Sequence, residues 1–136
     1  MTDVSITPAN VVPGANAVKE RGTAGATITA GQAVYRHNTT KKYLLADTDS
    51  ATAAVRETRG IALNGASDGQ PLTIQKGGLI TIGGTVTPGV AYYLSGTAGG
   101  IAPIADVASG DYPGLIGMAT TAAIINITLN YSGVEL

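Results

Sequence analysis

The sequence has no cysteine, no tryptophan and no phenylalanine, and it has a single histidine. Without cysteine there is neither a disulfide nor a thiolate metal site, so nothing in the fold depends on redox compartment. Without Phe and Trp the core must be built from Ile, Leu, Val and Ala, with six Tyr in support. Small aliphatics suit thin twisted sheets better than thick helical layers. Charge is sparse as well: 12% of residues are charged and the formal net charge is −1. A basic stripe interleaved with aromatics is missing, which argues against nucleic acid as a partner. No apolar run is long enough to span a bilayer, and Met1-Thr2-Asp3-Val4-Ser5 lacks the basic and apolar regions of a secretory signal. No membrane is therefore expected, and synthesis in a cytoplasm is.

What the chain has in plenty is glycine, 19 of 136 residues, and repetition. Residues 28–35, Ile-Thr-Ala-Gly-Gln-Ala-Val-Tyr, are echoed by residues 86–93, Val-Thr-Pro-Gly-Val-Ala-Tyr-Tyr. Gly60-Ile61-Ala62 is echoed by Gly117-Met118-Ala119, and each copy closes on an alternating run, Leu72-Thr73-Ile74 and Ile125-Asn126-Ile127. Two units this short cannot each bury an apolar face alone, which implies one shared core. Period-two runs such as Leu79-Ile80-Thr81-Ile82, punctuated by Gly and Pro, read as short strands. The expected fold is all-β: a small β-sandwich or barrel of two similar repeats, about 28–82 and 86–136, in one domain over 23–136. Gly31, Gly60, Gly89 and Gly117 are expected at turns or close strand approaches, in matching positions. Asp49 or Ser50 could cap one short helix through Ala53-Ala54-Val55 to Arg56.

Residues 1–22 have no echo. They carry Pro8, Pro13-Gly14 and the scattered aliphatics Val4, Ile6, Val11 and Val12. Two arrangements fit: an extended N-terminal arm that lies on a partner surface and is dispensable for folding, or an edge strand of the same domain. Charge is lopsided, because all eight Lys and Arg lie between Lys19 and Lys76 while only Asp106, Asp111 and Glu135 follow. Steering toward a partner is therefore expected from the first repeat, through Lys41, Lys42, Arg56, Arg59 and Lys76.

The chain offers little to chemistry. His37 sits beside Asn38-Thr39-Thr40-Lys41-Lys42 as a turn residue, with no paired nucleophile or orienting carboxylate in the pattern. Asp47-Thr48-Asp49 starts like a calcium loop, yet Thr52 stands where Gly is needed and Thr58 where Glu is needed. No phosphate-binding loop follows from the paired glycines. The expectation is a non-enzyme with no cofactor, no metal and no catalytic residue. Tyr92-Tyr93 should send one ring into the core and the other outward.

Residues 59–66 (Arg-Gly-Ile-Ala-Leu-Asn-Gly-Ala) and 70–80 (Gln-Pro-Leu-Thr-Ile-Gln-Lys-Gly-Gly-Leu-Ile) resemble the head decoration proteins of tailed bacteriophages. Thr87-x-Gly89-x-x-Tyr92-Tyr93-Leu94-Ser95, followed by Ile116-Gly117-Met118-Ala119, is similar to the two-repeat capsid cement proteins of such phages. The resemblance covers most of residues 23–136, and the second repeat departs from the lambda type. It implies a β-rich virion protein that binds the major capsid protein on the outside of the capsid and stabilises the shell. Such proteins are commonly homotrimers at threefold positions, and an N-terminal arm often touches the shell. Similar strand motifs occur in phage fibres, so a trimeric tail-fibre or receptor-binding module recognising a host glycan or protein is the alternative.

Overall fold

The computed structural model describes residues 3–135, so Met1, Thr2 and Leu136 lie outside the described residues. The alternating runs become ten strands: β1 (Val12–Pro13), β2 (Val18–Thr23), β3 (Ala33–Arg36), β4 (Tyr43–Leu45), β5 (Gly60–Ala62), β6 (Pro71–Thr81), β7 (Ala91–Leu94), β8 (Ile101–Pro103), β9 (Gly114–Ala119) and β10 (Ile124–Tyr131). They form one curled antiparallel sheet in the order β4-β3-β5-β6-β10-β9-β7-β8, with β1 and β2 also paired to β6. The fold is all-β, as the periodicity requires. Its α-helix is one turn, α1 (Ala53–Arg56), entered through Thr52 rather than Asp49 or Ser50. Asp47 closes the preceding turn by accepting the Asp49 N–H at 2.8 Å.

The strand order reads as a palindrome about β6 and β10, and the register repeats with it. Val34 lies opposite Gly60 as Tyr92 lies opposite Gly117, and Ala33 faces Ile61 as Ala91 faces Met118. In the hairpins, Val34–Leu45 and Arg36–Tyr43 correspond to Tyr92–Pro103 and Leu94–Ile101. The Gly31 N–H donates to the Ala62 carbonyl at 2.8 Å, and the Gly89 N–H to the Ala119 carbonyl at 2.9 Å. Both glycines hold a left-handed backbone, φ 93° and 82°, which a side chain disfavours. A Cβ on Gly60 would meet the Gln75 carbonyl oxygen at 2.7 Å, and one on Gly117 would meet that of Asn126 closer still. The final strands match two residues out of the expected phase. Ala62 faces Ile74 as Ala119 faces Ile125, so Ile74, not Leu72, is the counterpart of Ile125. The first repeat's connecting loop through Asn64 is the longer one.

β6 belongs to both repeats. Its first half ends the first repeat against β5, and its second half opens the second against β10, as β2 opens the first against β6. Gly77 and Gly78 stand where the halves join, Gly78 at φ 82°. Buried Gln75 ties the bend, its Nε2 donating to the Gly77 and Leu79 carbonyls at 3.0 and 2.8 Å. Residues 18–22, expected without a repeat partner, therefore have one in the second half of β6.

The N-terminal segment takes the second of its two expected arrangements. The Val4 N–H donates to the Ile101 carbonyl on β8, the Thr7 N–H to Gly83, and the Gly14 N–H to Leu79, at 2.8, 2.8 and 2.7 Å. Val11 is buried and Val4 and Ile6 are partly buried against the main core, while Val12 on β1 turns outward. Val4, Ile6 and Val11 go inward because the sheet they meet is their own.

Two apolar cores result. The smaller holds Ala24, Ile28, Val34, Tyr43, Ala62, Ala66, Leu72 and Ile74, all of the first repeat. The larger joins Tyr92, Leu94, Ile101, Ile116, Ala119, Ile125 and Ile127 of the second repeat to Ala33, Tyr35, Ala46 and Ile61 on the other face of the first. Tyr92 is the inward tyrosine, its hydroxyl accepting the Thr87 N–H at 2.8 Å.

Candidate interaction surface

The expected steering cations separate into a set tied down by partly buried contacts and a pair at an exposed hairpin tip. Glu20 on β2 accepts from Arg59 Nε and Nη2, each at 3.1 Å, from Lys76 Nζ at 3.4 Å, and from the Tyr43 hydroxyl in a short contact. The Arg59 hydrogen bonds, aided by that from Tyr43, overcome burial and hold the Glu20 carboxyl down at about 2. Burial and the Glu20 hydrogen bond push the Tyr43 phenol up to about 12, and the same carboxylate raises Arg59. Arg59 and Lys76 are thus committed to fixing β2 across β5 and β6. Arg56 clamps the repeats together: its guanidinium lies 3.5 Å over the Tyr112 ring, Nε donates to the Tyr131 hydroxyl at 3.1 Å, and Nη1 donates to the Ser50 carbonyl at 3.2 Å.

Lys41 and Lys42 remain at the tip of the β3–β4 hairpin. Lys42 makes a 3.1 Å ion pair with Asp68 in which both side chains stay well exposed, worth little in water. Lys41 is exposed at φ 62°. His37 shapes this turn, its Nδ1 accepting the N–H groups of Thr39 and Thr40 at 3.2 Å each. Of the four arm aliphatics only Val12 is outward, 52% exposed, joined on β2 by Val18 at 55%. The four glycines Gly31, Gly60, Gly89 and Gly117 shape the repeats from inside.

Two features carry no signal in the sequence. The first is an apolar face on the second repeat, where Ile104 and Met118 are 52% and 50% exposed and Tyr93, Ile104, Val107 and Pro113 line a shallow hollow of about 220 Å³. A lone Met or Ile in a strand pattern reads as core, so only the tertiary placement reveals it. The second is a hollow of about 330 Å³ bordered by Asp3, Asp49, Asp106 and Asp111, drawn together from three separate stretches of the chain. The hydrogen bond with Asp111, then burial, raises the Asp49 carboxyl to about 6. Among the described residues no three His, Cys, Asp or Glu side chains are grouped to hold a metal ion, and no helix is long and apolar enough to cross a membrane. The exposed features of the molecule include a cationic hairpin between β3 and β4 and an apolar face built from β7, β9 and the segment after β8. Comparison with known protein families and with curated protein sequences finds no match for this chain.

Proposed function

We propose that this chain is a structural virion protein of a tailed phage, a decoration or cement protein that binds the outer capsid surface as a homo-oligomer, with a trimer favoured. The observation that carries the reading is where the decoration-like residues fall. Gly60–Ala62 and residues 71–80 lie on β5 and β6 of the first repeat, and Tyr92–Leu94 and Ile116–Ala119 lie on β7 and β9 of the second, with β9 the counterpart of β5. The resemblance therefore follows paired strands of both repeats rather than scattered turns. Exposed apolar side chains on rigid strands suit a protein whose work is burial against a surface. Its partner is the major capsid protein, and its location the capsid exterior after synthesis in the host cytoplasm.

Co-sedimentation with purified tail-less capsids tests the proposal: binding at saturable stoichiometry is expected. Binding instead to purified tails or host envelopes would favour the fibre alternative. Reversing Lys41 and Lys42 to Glu should slow capsid association at low salt and have little effect at high salt, where the field is screened. An unchanged rate at low salt would remove this hairpin from the encounter.

A further inference from the structure

The β3–β4 and β7–β8 hairpins have one shape. In the β3–β4 turn the His37 N–H donates to the Lys42 carbonyl at 2.8 Å and the Thr39 N–H to His37 Nδ1 at 3.2 Å. In the β7–β8 turn the Ser95 N–H donates to the Gly100 carbonyl at 3.0 Å and the Thr97 N–H to Ser95 Oγ at 3.0 Å. Lys41 and Gly99 occupy the same left-handed position, at φ 62° and 77°. They differ in surroundings. The second hairpin is seated on the first repeat: the Gly99 carbonyl accepts the Ala33 N–H at 2.9 Å, the Gly99 N–H donates to the Ala46 carbonyl at 2.7 Å, and the Ser95 carbonyl accepts the Thr48 N–H at 3.2 Å. Residues 38–41 of the first hairpin are exposed.

The seat has a counterpart too. By strand register Ala33, Tyr35, Ala46 and Ile61 correspond to Ala91, Tyr93, Ile104 and Met118. The first set is buried, none more than 7% exposed. In the second set Ala91 and Tyr93 are half-buried and Ile104 and Met118 are exposed, so an apolar surface that is covered on the first repeat stands open on the second. Beyond Ala46 lies uncharged Thr48, under Ser95 and Gly99. At the same distance beyond Ile104 lies Asp106, whose carboxylate oxygens are both buried with no hydrogen-bond partner among the described residues. The hairpin that corresponds to Ser95 and Gly99 carries His37 and Lys41. A neutral pair inside the chain is thus matched by a buried, unpartnered carboxylate beside the open face and by a cationic hairpin left on the surface.

We propose that the open face of the second repeat receives the His37–Lys42 hairpin of a second copy of this chain, head to tail, repeating between copies the contact the two repeats make within one. Two different patches meet, so the interface is heterologous and closes into a ring where the rotation permits. The inference rests on the homo-oligomer of the proposed function and uses the same hairpin, so purified protein without capsids is the sample that separates its failure from a failure of capsid binding.

Sedimentation velocity over a concentration series tests it. The wild-type chain should associate reversibly. Met118→Lys or Ile104→Lys, outward changes whose folding circular dichroism will verify, should weaken association about thirty-fold or more. Lys41→Glu should weaken it roughly ten-fold, and adding Asp106→Lys to the same chain should restore it. A Met118→Lys chain keeps a good hairpin, and a Thr39→Glu/Lys41→Glu chain keeps a good face. Each should be monomeric alone, and the mixture should form a 1:1 dimer. A wild-type chain that stays monomeric throughout, association that Met118→Lys leaves intact, or a mixture that fails to dimerise would each overturn the proposal.

Discussion

In the first repeat the chain leaving β2 returns directly to β4, with the Gly25 N–H donating to the Tyr43 carbonyl at 2.8 Å. In the second the corresponding place beside β8 is filled by the N-terminal segment, with the Val4 N–H donating to the Ile101 carbonyl at the same distance. Tyr43 and Ile101 are register equivalents, so one hydrogen-bonding need is met by two different stretches of chain. The first repeat is covered on both faces and the second on one. Duplication of a sequence thus fixes strand pairing without fixing what closes each copy, because pairing is local to the repeat and closure draws on whatever chain lies nearby.

The largest effect should come from removing the closing segment. Deleting residues up to Gly14 exposes the second repeat's core and loses Val4, Ile6 and Val11, each worth about 1.5–3 kcal/mol when fully buried. That approaches the whole stability of a domain, about 5–15 kcal/mol. A truncated chain with no cooperative thermal transition by circular dichroism is expected, and an unchanged melting temperature would show the segment to be detachable after all.

Paired glycine substitutions come next. Gly60→Ala and Gly117→Ala each force a Cβ against a neighbouring carbonyl, and similar losses of about 1–3 kcal/mol are expected in chemical denaturation. Gly31→Ala and Gly89→Ala should differ. At Gly89 nothing lies within 4 Å of the added Cβ, leaving the left-handed backbone cost of about 1–2 kcal/mol. At Gly31 the Cβ also meets Ile6 Cγ2 at 2.5 Å, so the loss should be larger. Equal losses would mean that the N-terminal segment yields freely there.

Ionic fixing distinguishes the repeats more gently. Glu20→Gln removes the carboxylate that holds Arg59 and Lys76, and a loss of about 1–3 kcal/mol at neutral pH is expected. Because folding lowers this carboxyl from 4.5 to about 2, its contribution is complete above 4.5 and fades as pH falls toward 2. The Gln variant should lack that acid-side slope. Asp49 runs the other way, its carboxyl raised from 3.8 to about 6, so ionising it disfavours the fold as pH rises through that window. Asp49→Asn should flatten this small slope, as urea titrations across pH would show.

Several elements are legible in the amino-acid order alone. Period-two alternation marks Leu79–Ile82 and Ile125–Ile127, and the echo of residues 28–35 in 86–93 puts Gly31 and Gly89 in matching turns. Adjacent tyrosines imply opposite faces, and Tyr92 is the one inside. The fate of residues 3–17 is not legible, because scattered aliphatics fit an arm and a strap equally. Nor is the division of the cations: Arg59 and Lys76 look like Lys41 in sequence until Glu20 is brought to them from β2.

The all-β class, the duplication and the turns are written into the chain locally, since they follow from side-chain alternation and from backbone angles that glycine favours. Which segment closes the second repeat, which cations are bound, and which of two equivalent apolar faces is covered are matters of tertiary structure. Those outcomes depend on contacts between residues far apart in the chain, such as Ala33 with Gly99 and Val4 with Ile101, where equal local patterns meet unequal neighbours.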